Sequence, residues 1–227
     1  YCNAEFKIEK LLQYAENFSC NYIATGHYAR KKASLIGIAK DSWKDQSFML
    51  YRLSEKQREK LLLPLGQKMK DEVKNFVQQC GYEEIANKRE SFGLCFTNGK
   101  HYSEFLLEKY PELKKLENGK VFNKNNQVIG THKGYPFYTI GQYKGLNCEG
   151  KQYINKIIAE ENAIFVGEKS ECYFSTLRLN SLVFSQNIEN IKKDTPYLTK
   201  IRGKDEGCFA TIREISSNHS IIEFSQR

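Results

Sequence analysis

The sequence predicts a multidomain α+β chain: the closing part of an α/β domain, a mostly helical middle and an all-β C-terminal part. Three observations carry this. Residues 1–53 hold a helically spaced apolar stripe and then a short apolar run that ends in glycine. Residues 54–118 hold a helix-capping pair and a second helical stripe. From Gly119 onward, short β-rich runs alternate with polar turns. The expected domains are therefore 1–53, 54–118 and 119–227.

Asn3 suits an N-cap, with Glu5 in the first turn. Phe6, Leu11, Leu12, Ala15 and Phe18 form one apolar face, so residues 4–18 read as a helix. Asn21 to Gly26 reads as a buried strand that ends in a loop, and 33–39 as a further strand. Helix then strand is half of an α/β unit, where ligands gather beyond the carboxyl ends of the strands. Ser54 and Gln57 have capping-box spacing, and Pro64 stops the short helix behind them. Asp71 and Glu72 open another helix, which places Val73, Phe76, Val77 and Cys80 on a core stripe and ends at Gly81. A third helix covers 102–109, before Pro111. The β-rich runs follow at 121–122, 128–129, 137–140, 153–158, 164–166, 177–184, 197–202, 209–215 and 220–224. Such regular spacing argues for a closed barrel or a sandwich.

Hydrophobic residues make up 40% of the 227, enough for packed cores. No apolar run approaches the ~20 residues of a membrane helix, and nothing reads as a signal peptide. Tyr1 stands directly before a helix start, which is read as a start inside a longer protein. The net charge of +8 favours an anionic partner, nucleic acid first. Basic and acidic groups number 8 and 5 in residues 1–53, 12 and 11 in 54–118, and 15 and 11 in 119–227, so the excess sits in the outer segments. Seven cysteines at 2, 20, 80, 95, 148, 172 and 208 show no C-x-x-C pair, which argues against a zinc ribbon and for free thiols.

Five places could carry chemistry. Cys2 lies just before a helix N-terminus, where the positive dipole end suits a reactive thiol, although Glu5 opposes it. Cys95 lies between Gly93 and Gly99 in a loop, either accessible or packed into an interface. Ala24-Thr-Gly-His-Tyr-Ala-Arg30 follows a strand, and Gly26 would let a nucleotide approach the backbone. There His27 could contact phosphate or merely satisfy the strand end. Lys44, Asp45 and Gln46 sit between Trp43 and Phe48-Met-Leu50; they suit base edges and rings, or form a solvated turn. Gln142, Tyr143 and Lys144 between two glycines could face nucleic acid or form a hairpin.

Taken together, these segments resemble one family in order and spacing. They are Cys2-Asn3, the 24–30 run, Lys44-Asp-Gln-Ser47 with Phe48-x-Leu-Tyr-Arg-Leu53, Leu63-Pro-Leu-Gly66, Gly93-Leu-Cys-Phe96 and Phe137-Tyr-Thr-Ile-Gly-Gln-x-Lys-Gly-Leu146. The chain resembles the bacterial tRNA-specific 2-thiouridylases of the PP-loop ATP pyrophosphatase superfamily over essentially its whole length. The resemblance implies the end of a Rossmann-like PP-loop ATP-binding domain, a helical central linker domain and a C-terminal antiparallel β-barrel. It implies ATP-dependent adenylation of the 2-oxygen of the wobble uridine in the tRNA anticodon loop, then sulfur transfer from a cysteine persulfide. Cys95 would carry the persulfide, and Cys2 would be the second thiol, which attacks it and pairs transiently with Cys95. Gly26 would line the ATP site, with Mg2+ accompanying ATP. Lys44, Asp45 and Gln46, together with Arg202 and Gly203, would contact tRNA. A sulfur-relay protein or cysteine desulfurase would supply the sulfur. A cytoplasmic monomer with no resident metal and no membrane contact is expected.

The sequence departs from the family pattern in three respects. The glycine-rich Ser-Gly-Gly-x-Asp-Ser phosphate loop and a Pro-Asp segment before the first cysteine are not in it, so the chain by itself is expected neither to bind ATP well nor to thiolate tRNA. Tyr143 stands where the family has Arg, and Gly203 where it has Tyr. The competing reading is a non-catalytic RNA-binding module; both cysteines speak against it, since a pure binder needs neither. A PP-loop enzyme acting on a small molecule would need no basic barrel.

Overall fold

Helix-forming residues dominate the first part of the chain and alternating residues the last, and the computed structural model follows that change; it describes residues 2–88, 97, 99–203 and 205–225. The helical run starts at Cys2. Wide π-type turns over Cys2–Ile8 continue into α1 (Glu9–Asn17). Asn3 is therefore inside the helix rather than its cap. Its side-chain amide donates to Met49 O at 3.1 Å, a tertiary acceptor that replaces the local one. Ala4, Ile8, Leu12 and Ala15 recur at three- and four-residue spacing and are buried against Ile23, Ala29, Leu50, Leu53 and Leu61. One core thus runs through position 54.

Strand β1 (Ile23–Ala24) is followed by the hairpin β2 (Ala29–Lys32) and β3 (Leu35–Ile38). A 3₁₀ turn at Ser47–Leu50 leads to α2 (Glu55–Lys60). Both halves of the expected capping box are present: Gln57 N donates to Ser54 Oγ at 3.3 Å and Ser54 N to Gln57 Oε1 at 3.0 Å. The helix ends at Lys60, short of Pro64, because β4 (Leu61–Leu62) pairs in parallel with β1 and takes up its backbone groups. Next come α3 (Lys70–Gln79) and α4 (Glu83–Asn87). The α3 stripe was expected to be core, yet Phe76 is 65% exposed and Cys80 is exposed. The spacing sets the helix but not what covers it. The remaining helix, α5 (Tyr102–Lys109), falls where it was expected. Among the described residues no helix is long and apolar enough to cross a membrane.

The chain divides into two compact units, one of residues 1–88 and 175–227, the other of residues 89–174. The strands after 118 are shared between them as two sheets. The second unit holds β5 (Gly119–Phe122), β6 (Val128–His132), β7 (Asn147–Cys148), β8 (Tyr153–Ile158) and β9 (Ala163–Gly167). They lie in the order β7-β6-β5-β9-β8, with β5 and β9 parallel and the other pairs antiparallel. Val121, Ile154, Ile164 and Val166 form the core of this unit. The first unit gains β10 (Thr176–Asn180), β11 (Pro196–Thr199), β12 (Cys208–Ile215) and β13 (His219–Phe224), an antiparallel sheet in the order β10-β13-β12-β11. Residues 137–140 are not a strand. Pro136 lies in a 3₁₀ turn at Tyr135–Phe137 and has no N–H to give, and Gly134 and Gly141 adopt φ of 117° and 83°, which bend the chain out of any ladder.

Candidate functional site

Cys2 is an exposed free thiol on the first turn of the helical run. π-type turns recur at functional sites, and this one places Cys2 and Lys7 about one turn apart. Glu5, which opposes a thiolate, is paired with Arg52 at 3.2 Å. Burial pushes the Cys148 and Cys172 thiols up, Cys172 also through Glu171, so neither is primed for attack at neutral pH. Cys95, the other expected catalytic thiol, lies outside the described residues.

A cleft of about 300 Å³ opens beside the same run, lined by Lys7, Ile8, Leu11, Thr25, Gly26, His27 and Gln46. Gly26, which follows β1, is among the residues that line this cleft. A side chain at 26 would meet only Leu65 Cδ1, at 3.8 Å. The protein's own packing thus leaves the backbone open there to an approaching ring or ribose. The Thr25 hydroxyl and His27 Nδ1 lie 2.9 Å apart. Burial, and then the Lys7 charge, hold the His27 pKa below its usual 6.5, so its ring is neutral at pH 7. The apolar Ile8 and Leu11, the open backbone and one cation suit the adenosine part of ATP; among the described residues no glycine-rich phosphate cradle lines the cleft. A larger groove of about 900 Å³ beside β1 and β4 is lined by Tyr22, Arg30, Lys31, Glu59 and Leu62, none of them an expected site residue.

The 44–46 turn is built by its own side chains. The Asp45 carboxylate accepts from Ala39 N at 2.8 Å, Ser47 Oγ at 2.8 Å and Ser47 N at 3.3 Å. Gln46 clamps Tyr28 twice: its N donates to Tyr28 O at 2.7 Å and its Oε1 accepts from Tyr28 N at 3.0 Å. Asp45 and Gln46 thus shape the turn that presents Lys44. Arg202 and Gly203 lie in the turn between β11 and β12, and Gly203 packs on the Phe48 ring: a Cβ there would sit 3.3 Å from Phe48 Cδ1. Gly203 is thereby brought against a residue two positions beyond Gln46, far from it in sequence. Trp43, beside Lys44, is 94% exposed. In the sequence Trp43 flanks the polar trio as one of the aromatics beside it, without a role of its own. A tryptophan inside a polar turn was the signal to weigh, since so large a ring is rarely left in water without a partner.

Known proteins match this chain along its length. The family model described as tRNA methyl transferase HUP domain matches residues 1–99, and that described as tRNA methyl transferase PRC-barrel domain matches residues 103–168. The tRNA-specific 2-thiouridylase MnmA of Halothermothrix orenii is 34% identical over all of this chain and 64% of its own length. That of Cytophaga hutchinsonii is 30% identical over 97% of this chain and 62% of its own length. That of Chlorobium chlorochromatii reaches 40% identity over 74% of this chain. The matches cover 64%, 62% and 49% of these three curated relatives' own lengths, so the chain spans less than two thirds of each.

Proposed function

We propose that this chain, which belongs to the tRNA-specific 2-thiouridylase family, is part of an enzyme that exchanges the 2-oxygen of the wobble uridine in tRNA for sulfur. The observation that supports the reading is the packing of Gly203 on Phe48, two residues beyond Gln46, in the unit that also holds Cys2 and the Gly26 cleft. Lys44, Arg202 and the exposed Trp43 ring offer two cations and a stacking face to RNA, the combination that grips a backbone and an unpaired base.

The reaction needs a leaving group, a sulfur carrier and a second thiol. ATP, accompanied by Mg2+, would supply the adenylyl group that turns the uracil 2-oxygen into a leaving group. Ile8, Leu11 and the bare backbone at Gly26 would hold its adenosine part, with Lys7 as the nearby cation. Cys95 receives sulfur as a persulfide from a cysteine desulfurase or sulfur-relay protein. The terminal sulfur attacks C2 of the base, and the 2-oxygen departs with AMP. The Cys2 thiolate then attacks Cys95 Sγ; the S–S bond breaks toward the base, leaving 2-thiouridine and a Cys2–Cys95 disulfide that an external thiol reduces. The wobble base leaves its stack to reach the two thiols. In the same reading, residues 1–53 close the ATP-binding domain, 54–118 link, and 119–227 form the β-rich part.

The test is wobble 2-thiouridine in bulk tRNA, measured by mass spectrometry in cells that lack their own 2-thiouridylase and carry the complete gene encoding this chain. Wild type and Cys80→Ser, a change at an exposed thiol just after α3, are expected to restore the nucleoside. Cys95→Ser and Cys2→Ser are expected to leave it at background. Restoration by all four would make both cysteines structural and the mechanism wrong.

A further inference from the structure

The second unit carries an aromatic and cationic cluster that this chemistry does not use. The Tyr143 and Tyr153 rings lie with centroids 5.4 Å apart at 48°. Lys151 Nζ is 4.9 Å from the Tyr143 centroid and 5.8 Å from that of Tyr153, and Lys144 Nζ is 5.7 Å from Tyr143. Tyr143 is 43% exposed, and both lysines are exposed.

The loop that presents Tyr143 is fixed from below. Gly141 N donates to Ile154 O at 2.7 Å, and Ile154 N returns a bond to Gln142 O at 2.9 Å, with Ile154 itself fully buried. The Gln142 side chain spans the turn: its Nε2 donates to Lys144 O at 2.7 Å and its Oε1 accepts from Thr139 N at 3.2 Å. Tyr138 OH donates to Gly145 O at 2.8 Å. Gly141 and Gly145, at φ of 83° and 86°, provide the two bends. A ring held on such a turn loses little freedom when a ligand lands on it.

Two rings beside two ammonium groups match one ligand chemistry, an unpaired base next to its own phosphates. An acidic peptide would engage the lysines but leave the rings without a role. We propose that Tyr143, Tyr153, Lys144 and Lys151 form a stacking platform for an unpaired base of bound RNA, with the lysines moving onto the flanking phosphates. This rests on the reading that the protein acts on tRNA, and adds a contact which that reading does not assign. Where the family has an Arg that suits a phosphate, Tyr143 offers this chain a base-stacking face.

Fluorescence anisotropy with the complete chain tests it, using a labelled RNA stem–loop with an unpaired anticodon-type loop, a duplex RNA of equal length and polyglutamate as competitor. Melting curves check that each variant is folded. Tyr143→Ala is expected to weaken stem–loop binding at least about fivefold, the lower end of one base stack, and to leave duplex binding within twofold. Tyr143→Phe keeps the ring and should stay within twofold of wild type. Lys151→Gln should weaken binding and flatten its salt dependence. Unchanged stem–loop affinity for Tyr143→Ala overturns the proposal. So do equal losses on loop and duplex, polyglutamate competing as well as RNA, or no stem–loop binding by the wild type. Loss of ring-dependent binding with 2-thiouridine formation intact sinks the platform alone; the reverse sinks the thiolation reading alone.

Discussion

His132 shows how one buried side chain fixes both a glycine and a pH limit. It is 3% exposed, in the last position of β6. Gly134 N donates to its Nδ1 at 3.1 Å, so the ring proton sits on Nε2 and faces Asn162 O at 3.1 Å. A side chain at Gly119 would collide with this ring and with the Asn162 carbonyl, which is why no Cβ fits there. Burial holds the His132 pKa below 6.5, outweighing the contact to Asn162 O, which favours the protonated ring. The folded state therefore favours the neutral ring, while the unfolded chain takes up a proton near pH 6.5. This contribution to stability is complete above about pH 6.5 and is lost as pH falls toward the lowered folded value. Protonation would also turn Nδ1 into a donor against the Gly134 N–H. Hydrogen exchange of peptides covering 128–134, corrected for intrinsic rate, is expected to show protection at pH 7.5 and faster opening at pH 5. His132→Gln should flatten that dependence. Equal protection at both pH values would mean that the ring is not what limits the unit in acid.

Elements were legible where local chemistry decides them and illegible where tertiary partners do. The α2 capping box could be read from Ser54 and Gln57 alone, because both of its bonds are made within one turn. The start of the first helix could not, since Asn3 answers to Met49, 46 residues away. In α3 the spacing revealed the helix but not its exposed Phe76, and at 137–140 the β-forming side chains outvoted Pro136 and the glycines on paper but not in the chain. Arg58 is the sharpest case. In Glu-Lys-Gln-Arg-Glu-Lys it reads as a solvated residue, yet it is 2% exposed. Its guanidinium donates to Ser34 O at 2.7 Å, to Leu53 O and to Phe184 O at 3.3 Å, tying α2 to the β2–β3 hairpin, the preceding turn and the segment after β10. Arg58→Leu would leave these carbonyls short of donors, at a cost on the order of 3 kcal/mol. Arg58→Lys should recover only part of it, because one ammonium cannot reach three separated carbonyls. Denaturant midpoints check this, and an unchanged midpoint for Arg58→Leu would show that water replaces the guanidinium freely.

At the scale of the whole molecule, the order of motifs along the chain was enough to reveal the family, but not which of them meet. Strands β10 to β13 read as more of the same β-rich run that begins at Gly119; only the fold returns them to the first unit, where the turn at 202–203 reaches Phe48. Regular strand spacing carries no record of which unit a strand joins. Each unit bears an exposed ring with a lysine beside it, Trp43 next to Lys44 in sequence in one, Tyr143 under Lys144 and Lys151 in the other. If a chain of net charge +8 grips tRNA mainly through phosphates, as proposed, its affinity should fall steeply with salt, and Arg202→Gln should reduce the log–log slope by roughly one. Trp43 makes the location of that grip measurable, because it is the only tryptophan in the sequence and is 94% exposed. Its emission in the free protein should be that of an indole in water. Titration with tRNA should quench it as a base stacks on the ring, at low salt and reversibly at high salt. Trp43→Phe should bind nearly as well without the signal, and Trp43→Ala more weakly. If tRNA binds, by anisotropy, while Trp43 emission stays constant, the RNA lies elsewhere, and the meeting of Phe48 with Gly203 is a packing contact and not half of a tRNA surface.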